Sequence, residues 1–359
     1  MTIVALSAGL TPDTAGTQGS PWFNTSNRAT IVDVYEREFS IDASSMDWSG
    51  AYDGCQAGDS SQDLRQQTIR RVNFYRSMAG VPATVVENPQ YSAKAQYGAL
   101  MMSSEGTLSH HPDSSYACFS SIGAEAAANS NLYLGRSGPW AIDGYIEDPG
   151  DRNRDVGHRN TILHPPTTEM GVGHVAGSDD LHESNVLWVF DDDVFADAPK
   201  TREESGFVAW PPRGYVPEDI VHPRWSFGLG KANFDSAGVQ MTVNGEDVPI
   251  HVVARLSKEG HVPSPIIVWE TQDDFNEIYD KETDLAQDVK VSVTVANVII
   301  DGAARDFSYE VTILGQEAAP GADSVSVNEL AFVDERRAYL DPQVLIRAIM
   351  FPLPVPFTD

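Results

Sequence analysis

Three side chains with oxygen donors recur at every second position, in the order Asp151, Asn153 and Asp155. Carboxylate and amide oxygens at this spacing form the first part of a Ca²⁺-binding loop. The rest of the segment departs from that pattern, because Gly157 comes one residue late and Ile162 stands where the loop needs Glu. The segment is therefore more typical of a polar turn, with a Ca²⁺ site as the alternative.

Other motif fragments give no support to the common enzyme classes. Gly171-Val172-Gly173 begins like a dinucleotide-binding loop, but Gly177 follows one residue late and no helix opens there, so strand packing is favoured. His182-Glu183 lacks the second histidine of a zinc-protease helix. Asp191-Asp192-Asp193 is typical of a solvated strand end. The chain contains no Gly-x-Ser-x-Gly or Walker sequence, so esterase and nucleotide chemistry have no sequence support.

The charge of the chain is strongly one-sided. The chain has 52 acidic and 24 basic residues, which gives a formal net charge of −28. A negative field of this size repels nucleic acids and anionic membranes, so neither is an expected partner. The acidity favours either attraction of cations such as Ca²⁺ or, more simply, a solvated surface suited to a salty medium.

Two further features of the composition bear on the compartment. The sequence has no run of about 18 apolar residues, so we expect no transmembrane segment. It has two cysteines, Cys55 and Cys118. A single pair is compatible with one disulfide in an oxidising compartment, and two buried thiols are the alternative.

The first half of the chain has helical periodicity followed by short strands. From Asp63 onward apolar residues recur every three or four positions until Gly80 and Pro82 interrupt the pattern. Asn88-Pro89 predicts the start of a second helix, because Asn caps well and Pro fits the first turn. A third helix is predicted over 138–148, and strands over 169–175 and 185–190. Helices followed by strands indicate an α+β domain.

The second half has the alternation typical of β-strands. Segment 195–223 is rich in Pro and predicts a linker. Beyond it, Asn244-Gly245 is a strong hairpin signal, and Val alternates with polar residues from Val289 to Val295. We therefore expect a β-sandwich. The predicted organisation is a lead segment, an α+β domain, a linker, a sandwich and a tail of unassigned role, over 1–60, 61–194, 195–223, 224–315 and 316–359.

A series of motifs between Asn73 and Trp188 resembles one known family. In order they are NFYRSMAG, TLSHH, GAEAAANSNL, GYIEDPGDRN, VGHRNTILHPPTTEMGVG and SNVLWV. This series is similar to the CAP superfamily (cysteine-rich secretory, antigen-5 and pathogenesis-related proteins) of bacterial type, over about a third of the chain. The residues Arg224-Trp225-Ser226-Phe227 resemble the immunoglobulin-like domains that follow some bacterial CAP domains.

The resemblance implies a fold and a site. The fold is an α-β-α sandwich, followed here by an immunoglobulin-like sandwich, and its cleft gathers two histidines and two acids. Matched motif by motif, these positions are His110, Glu125, Asp148 and His158. His111 is a one-residue alternative to His110, and Glu147 is an alternative to Asp148.

The chemistry of such a cluster leaves metal binding open. Two imidazoles with carboxylates form a suitable donor set for Zn²⁺, and the ligand set implied by the resemblance is His110, Glu125 and His158. The alternative is a hydrogen-bonded cluster without metal. No cofactor is firmly expected, and Zn²⁺ or Ca²⁺ are the candidates.

The positions of the cysteines predict a disulfide across the CAP domain. Cys55 lies just before the opening helix and Cys118 just after the TLSHH turn. Such a bond closes a loop long enough to stabilise the fold by roughly 4 kcal/mol in the chain-entropy model.

These features favour a non-enzymatic protein that is secreted or on the cell surface. Its cleft would bind a small apolar ligand or a protein partner, or the chain would serve a structural surface role, with self-assembly as a further option. No catalytic residue is assigned, because no nucleophile or oxyanion-hole motif is identifiable. The alternative is a metal-assisted hydrolase that uses the histidines and acids of the cleft.

Overall fold

The computed structural model describes residues 22–39, 45–192, 199–257, 263–271 and 287–315. All of them belong to one compact unit, and the predicted tail 316–359 lies outside the described residues. None of the described helices is long and apolar enough to span a membrane. The α-helices are α1 (Arg28–Phe39), α2 (Gln62–Ala79), α3 (Pro89–Glu105), α4 (Ser121–Ala128), α5 (Gly138–Glu147) and α6 (Gly157–Ile162).

The first half contains a four-stranded sheet in the order β1-β3-β4-β2. The strand β1 runs parallel to β3, and the other neighbours are antiparallel. The bounds are β1 (Val86–Glu87), β2 (Ser130–Leu134), β3 (Glu169–Val175) and β4 (Ser184–Trp188). The mixture of helices and sheets confirms the predicted α+β class.

Helices cover both faces of this sheet. On β3, Met170 and Val172 share a core with α2 and α5, whereas Val175 packs with α3 and α4. Gly171 and Gly173 face α3 so closely that a Cβ at either would lie within 2.4 Å of its backbone. The Gly-Val-Gly sequence thus permits close packing of helix on strand, in an α-β-α arrangement.

The helix ends follow the capping signals of the sequence. Ser61 accepts the backbone N–H of Leu64 at the start of α2, and Gly80 adopts a left-handed φ of 76° at its end. Asn88 accepts two backbone N–H groups at the start of α3, and Pro89 occupies the first turn.

The NFYRSMAG motif joins α2 to irregular segments of the chain. The amide of Asn73 pairs with both backbone groups of Val85. The guanidinium of Arg76 is fully buried, and burial lowers its pKa to about 9. It donates to five backbone carbonyls, which belong to Pro82, Ile162, His164, Pro165 and Thr167. The carbonyl of Ile162 ends α6 and the other four lie outside the helices and strands, so Arg76 supplies the donors that they need.

The second half consists of two sheets that share a core. One sheet has the order β11-β12-β7-β5 and the other β10-β9-β13-β14-β6, with β8 paired to β13. Trp225 and Trp269, of β7 and β12, are fully buried in this core, opposite strands β13 and β14. The strands are β5 (Val208–Trp210), β6 (Gly214–Val216), β7 (Arg224–Gly228), β8 (Ala232–Asn233), β9 (Gly238–Val243), β10 (Glu246–Asp247), β11 (Ile250–Leu256), β12 (Ile266–Thr271), β13 (Val289–Ile300) and β14 (Ala303–Ile313). An immunoglobulin-like type stays a prediction.

The segment predicted as a linker contributes strands to both sheets of the second half. Its strand β5 pairs with β7, and β6 runs parallel to β14. Trp210 of β5 also contacts Tyr75 of α2, with ring centroids 5.3 Å apart. From the lead segment, Arg28 of α1 forms an ion pair with Asp288 at 3.0 Å. The two halves therefore share one apolar core, and their separate folding stays a prediction.

The predicted disulfide is confirmed. Cys55 and Cys118 are bonded, with Cα atoms 5.2 Å apart. The bond ties the segment before α2 to the segment between α3 and α4. Cys118 packs against the core that α3 forms with β4.

A buried histidine of β3 is held in its neutral form. His174 is fully buried, and burial lowers its pKa to about 3. The hydroxyl of Thr68 donates to Leu64, so it accepts from Nε2 of His174 at 3.2 Å. Nδ1 accepts from the backbone N–H of Gly138 and the side-chain amide of Asn185. Both ring nitrogens therefore have hydrogen-bond partners. A second proton, on Nδ1, would remove the acceptor that Gly138 and Asn185 share.

We expect His174 to make the protein acid-sensitive. In the unfolded chain His174 has a pKa of about 6.5. Below this pH the unfolded chain binds a proton at His174 that the folded chain does not bind, so stability falls as pH falls. This group should lower the free energy of unfolding by about 1.4 kcal/mol per pH unit between about pH 6 and pH 4. Urea unfolding at several pH values measures the slope. His174→Gln should reduce it by about that amount, and His251→Gln on the exposed face of β11 should not; equal slopes in wild type and His174→Gln would refute the assignment.

Candidate functional site

The site is built around the residue that ends α5. Asp148 adopts the left-handed conformation, with φ 53° and ψ 53°, and its backbone N–H donates to Gly144. Asp tolerates this conformation better than most residues, which suits it to a helix end. Its side chain is fully buried. The carboxylate accepts from Nδ1 of His158 at 2.7 Å and from the backbone N–H groups of His158 and Arg159 at 3.0 and 3.3 Å.

This carboxylate orients His158, which lies in the first turn of α6. Because Nδ1 donates to Asp148, Nε2 is the ring nitrogen that this hydrogen bond leaves available. The ring lies against Tyr145, with centroids 5.3 Å apart, and 23% of the side chain is exposed. Burial lowers the pKa of His158, but the charge and hydrogen bond of Asp148 outweigh it, so that the pKa is raised.

The second histidine is anchored on α4. Nδ1 of His110 donates to the carbonyl of Ala127 at 2.8 Å. Partial burial, together with the charges of His158 and His111, lowers the pKa of His110. The rings of His110 and His158 are thus close enough for their charges to interact. His111 is exposed, and its backbone N–H donates to Ser109.

A comparison with family models finds a match for this part of the chain. Residues 69–191 match the family model described as CAP, the Cysteine-rich secretory protein family. The chain carries a CAP domain. The match covers about a third of the 359 residues and includes all four predicted cleft positions. A comparison with curated proteins gives no match.

The acidic positions of the CAP domain have separate partners. Glu125 lies exposed on α4, where its carboxylate pairs with Nζ of Lys94 at 2.7 Å. The structure therefore brings Asp148 to His158 but directs Glu125 to α3. Glu147, the alternative to Asp148, is half-buried, and its backbone carbonyl accepts from Arg159.

The predicted metal sites are not assembled within the described part of the chain. There, no three or more His, Cys, Asp or Glu side chains lie close enough together to hold a metal ion. This covers the set His110, Glu125 and His158 as well as the Asp151-to-Asp155 turn. Residues 151–153 form a single 3-10 turn, and the amide of Asn153 donates to the carbonyl of Pro149.

Two residues that the sequence patterns did not single out, Asn131 and Arg159, also hold the site. The side chain of Asn131 on β2 donates to the carbonyl of His158 and accepts from the hydroxyl of Thr161. Arg159 is fully buried and donates from Nε to the carbonyl of Ile146. Arg159 follows His158 in the GHR motif, and this position was a signal for its role. Nothing local marks Asn131, because the partners of Asn131 lie about thirty residues away in sequence.

We expect Asp148→Asn to lower the pKa of His158. The amide keeps the size of the side chain but removes the charge that outweighs burial. The raised pKa means that protonated His158 stabilises the folded protein at acidic pH, and this stabilisation is lost as the pH rises through that pKa. Asp148→Asn should therefore also lose stability mainly below about pH 6.5. An NMR titration of His158 measures the pKa. Asp155→Asn is the matched control and should cause a smaller fall; an unchanged pKa in Asp148→Asn would contradict the assignment.

Proposed function

We propose that this CAP-domain protein works outside the cytosol, secreted or on the cell surface, and binds a small apolar ligand or a protein partner beside its histidine cleft. The disulfide supports an oxidising compartment. The net charge of −28 disfavours nucleic acids and anionic lipids as partners. A structural surface role is compatible with the same features.

The observation that carries the proposal is a set of exposed apolar side chains on α3, on α4 and on the segment that joins these helices and carries His110. Tyr97 lies on α3, Ile122 on α4, and Leu108 and Phe119 in the segment that connects these helices and carries His110. We call these four residues the apolar strip. Between 39% and 42% of each residue's surface is exposed. Large apolar side chains that stay exposed on neighbouring elements are typical of binding surfaces.

The two helices of the apolar strip are packed closely enough to hold it in place. A Cβ at Gly123 of α4 would lie 3.1 Å from the carbonyl oxygen of Tyr97 on α3. The disulfide at Cys118 fixes the connecting segment next to Phe119. The strip therefore lies on a rigid part of the CAP domain, which limits the entropy lost on binding.

The carboxylates of the cleft support binding over turnover. Both oxygens of Asp148 already accept hydrogen bonds from the protein, and Glu125 is paired with Lys94. Asp148 is thus occupied in holding His158, and Glu125 in its ion pair with Lys94, so the proposal gives neither carboxylate the role of activating a water molecule. A binding cleft needs only a shaped surface with a few fixed polar groups, and the two histidines provide these.

A metal-assisted hydrolase is the second candidate, and one observation favours it. A carboxylate that accepts from Nδ1 of a histidine and leaves Nε2 to the cleft is the arrangement found behind metal-bound histidines. In that case Nε2 of His158 and a nitrogen of His110 would hold a Zn²⁺ ion, with the remaining ligands from water. Such an ion would supply an activated water for hydrolysis.

We expect the neutral dye N-phenyl-1-naphthylamine to bind the apolar strip. The double variant Phe119→Ser, Ile122→Ser should weaken binding by roughly tenfold, because about 1.4 kcal/mol of apolar contact is lost. Dye fluorescence measures the affinity. Trp140→Ser on α5 is the control, since Trp140 is 53% exposed but lies outside the strip.

Two results of this experiment would count against the binding proposal. The first is an absence of saturable dye binding in the wild type, and the second is equal affinity in the double variant. Turnover of p-nitrophenyl acetate with Zn²⁺ that disappears in folded His158→Ala would instead favour the hydrolase.

A further inference from the structure

One arginine of the second half reaches into the CAP site. Arg224, the first residue of β7, is 11% exposed at its side chain. Its Nη1 donates to the backbone carbonyls of Asp148, Asn153 and Gly150 at 2.8, 2.9 and 3.2 Å. Its Nε donates to Glu270 of β12 at 2.7 Å, and Nη2 lies 2.6 Å from the same carboxylate oxygen. The side chain of Arg224 therefore binds backbone carbonyls at three positions of the turn that follows α5.

Arg159 makes the reverse connection, from the CAP domain to β7. Its Nη1 donates to the carbonyl of Arg224 at 2.9 Å and to the hydroxyl of Ser226 at 3.2 Å. Its Nε and Nη2 donate to the carbonyls of Ile146 and Glu147 in the last turn of α5. The last carbonyls of a helix have no partner within the helix, and cations are favoured near them. Arg159 and Arg224 together satisfy this end of α5.

Apolar packing fixes the other end of the same turn. Val156 has a left-handed φ of 47° and is fully buried, although this conformation is strained for a β-branched residue. It packs against Ile266 and Val268 of β12. The amide of Asn160 donates to the carbonyl of Ser264 at 2.9 Å. Contacts with the second half thus compensate for the strain two residues before His158.

We propose that Arg224 is a positioning residue of the CAP cleft. By holding the carbonyl of Asp148, it fixes the direction of the Asp148 carboxylate, and the carboxylate in turn keeps the proton of neutral His158 on Nδ1 and Nε2 toward the cleft. The β half is then a structural component of the cleft rather than a spacer. The inference deepens the proposed function, because it concerns the same cleft.

The test compares Arg224→Gln, Arg224→Lys and a control in the full-length protein. The control is Arg255→Gln, since Arg255 on β11 donates to a carbonyl within the second half only, that of Ala237. The ¹⁵N NMR signals of the His158 ring at a fixed alkaline pH report which nitrogen carries the proton. A purely structural role of Arg224 would not change this tautomer as long as the protein is folded.

We expect Arg224→Gln to shift His158 from the Nδ1–H tautomer toward a mixture of tautomers and to weaken binding of N-phenyl-1-naphthylamine roughly three- to tenfold. Arg224→Lys should restore part of both effects, because it keeps a charged donor but loses the forked geometry. Arg255→Gln should leave both unchanged. Folded Arg224→Gln with wild-type His158 signals would overturn the proposal.

Two further outcomes keep the test decisive. If Arg224→Gln does not fold, Glu270→Gln replaces it, because this change removes the ion pair that orients Arg224. Glu270→Gln should shift the His158 tautomer in the same direction. Wild-type His158 signals in folded Glu270→Gln would overturn the proposal. If the wild type does not bind the dye but the tautomer shifts, the positioning role stands and the binding function fails.

Discussion

The carboxylate of Asp148 is fully buried, and burying a carboxylate costs several kcal/mol unless hydrogen-bond donors replace the water around it. Its donors are the ring and backbone N–H of His158 and the backbone N–H of Arg159. The end of α5 and the start of α6 must therefore meet, and the nine residues between them, 148–156, must form a tight turn. The orientation of His158 and its raised pKa follow from this requirement.

The same principle explains the buried arginines. Arg76, Arg159 and Arg224 each donate to carbonyls of segments that have few partners of their own, at the end of α5 or around residues 149–167. Each guanidinium replaces several backbone donors that a regular helix or sheet would provide. Because one of the three lies on β7, the two halves of the chain share this function. Arg224, which lies beyond the matched family segment, thus donates to three backbone carbonyls of the CAP domain.

The sequence predicts the parts of this structure that depend on local signals. Asn88-Pro89 and Gly80 mark helix ends by capping, the motif order locates His110 and His158, and the two cysteines leave a single intramolecular pairing. It does not predict the partner of Glu125, since Lys94 lies 31 residues away on another helix. Nor does it predict β5 and β6, because three-residue strands within a Pro-rich segment are specified by the long-range partners β7 and β14.

Native-state hydrogen exchange at the Asp148 turn tests the central claim most directly. The amides of His158 and Arg159 donate to a buried carboxylate, whereas the amide of Ser115 donates at 2.8 Å to the exposed carboxylate of Asp113. If the β half holds the turn, the first two amides should exchange as slowly as those of Trp225 and Trp269 in the core, because both would require global unfolding. Exchange as fast as that of Ser115 would show that the turn opens on its own, and would contradict a cleft held by the second half.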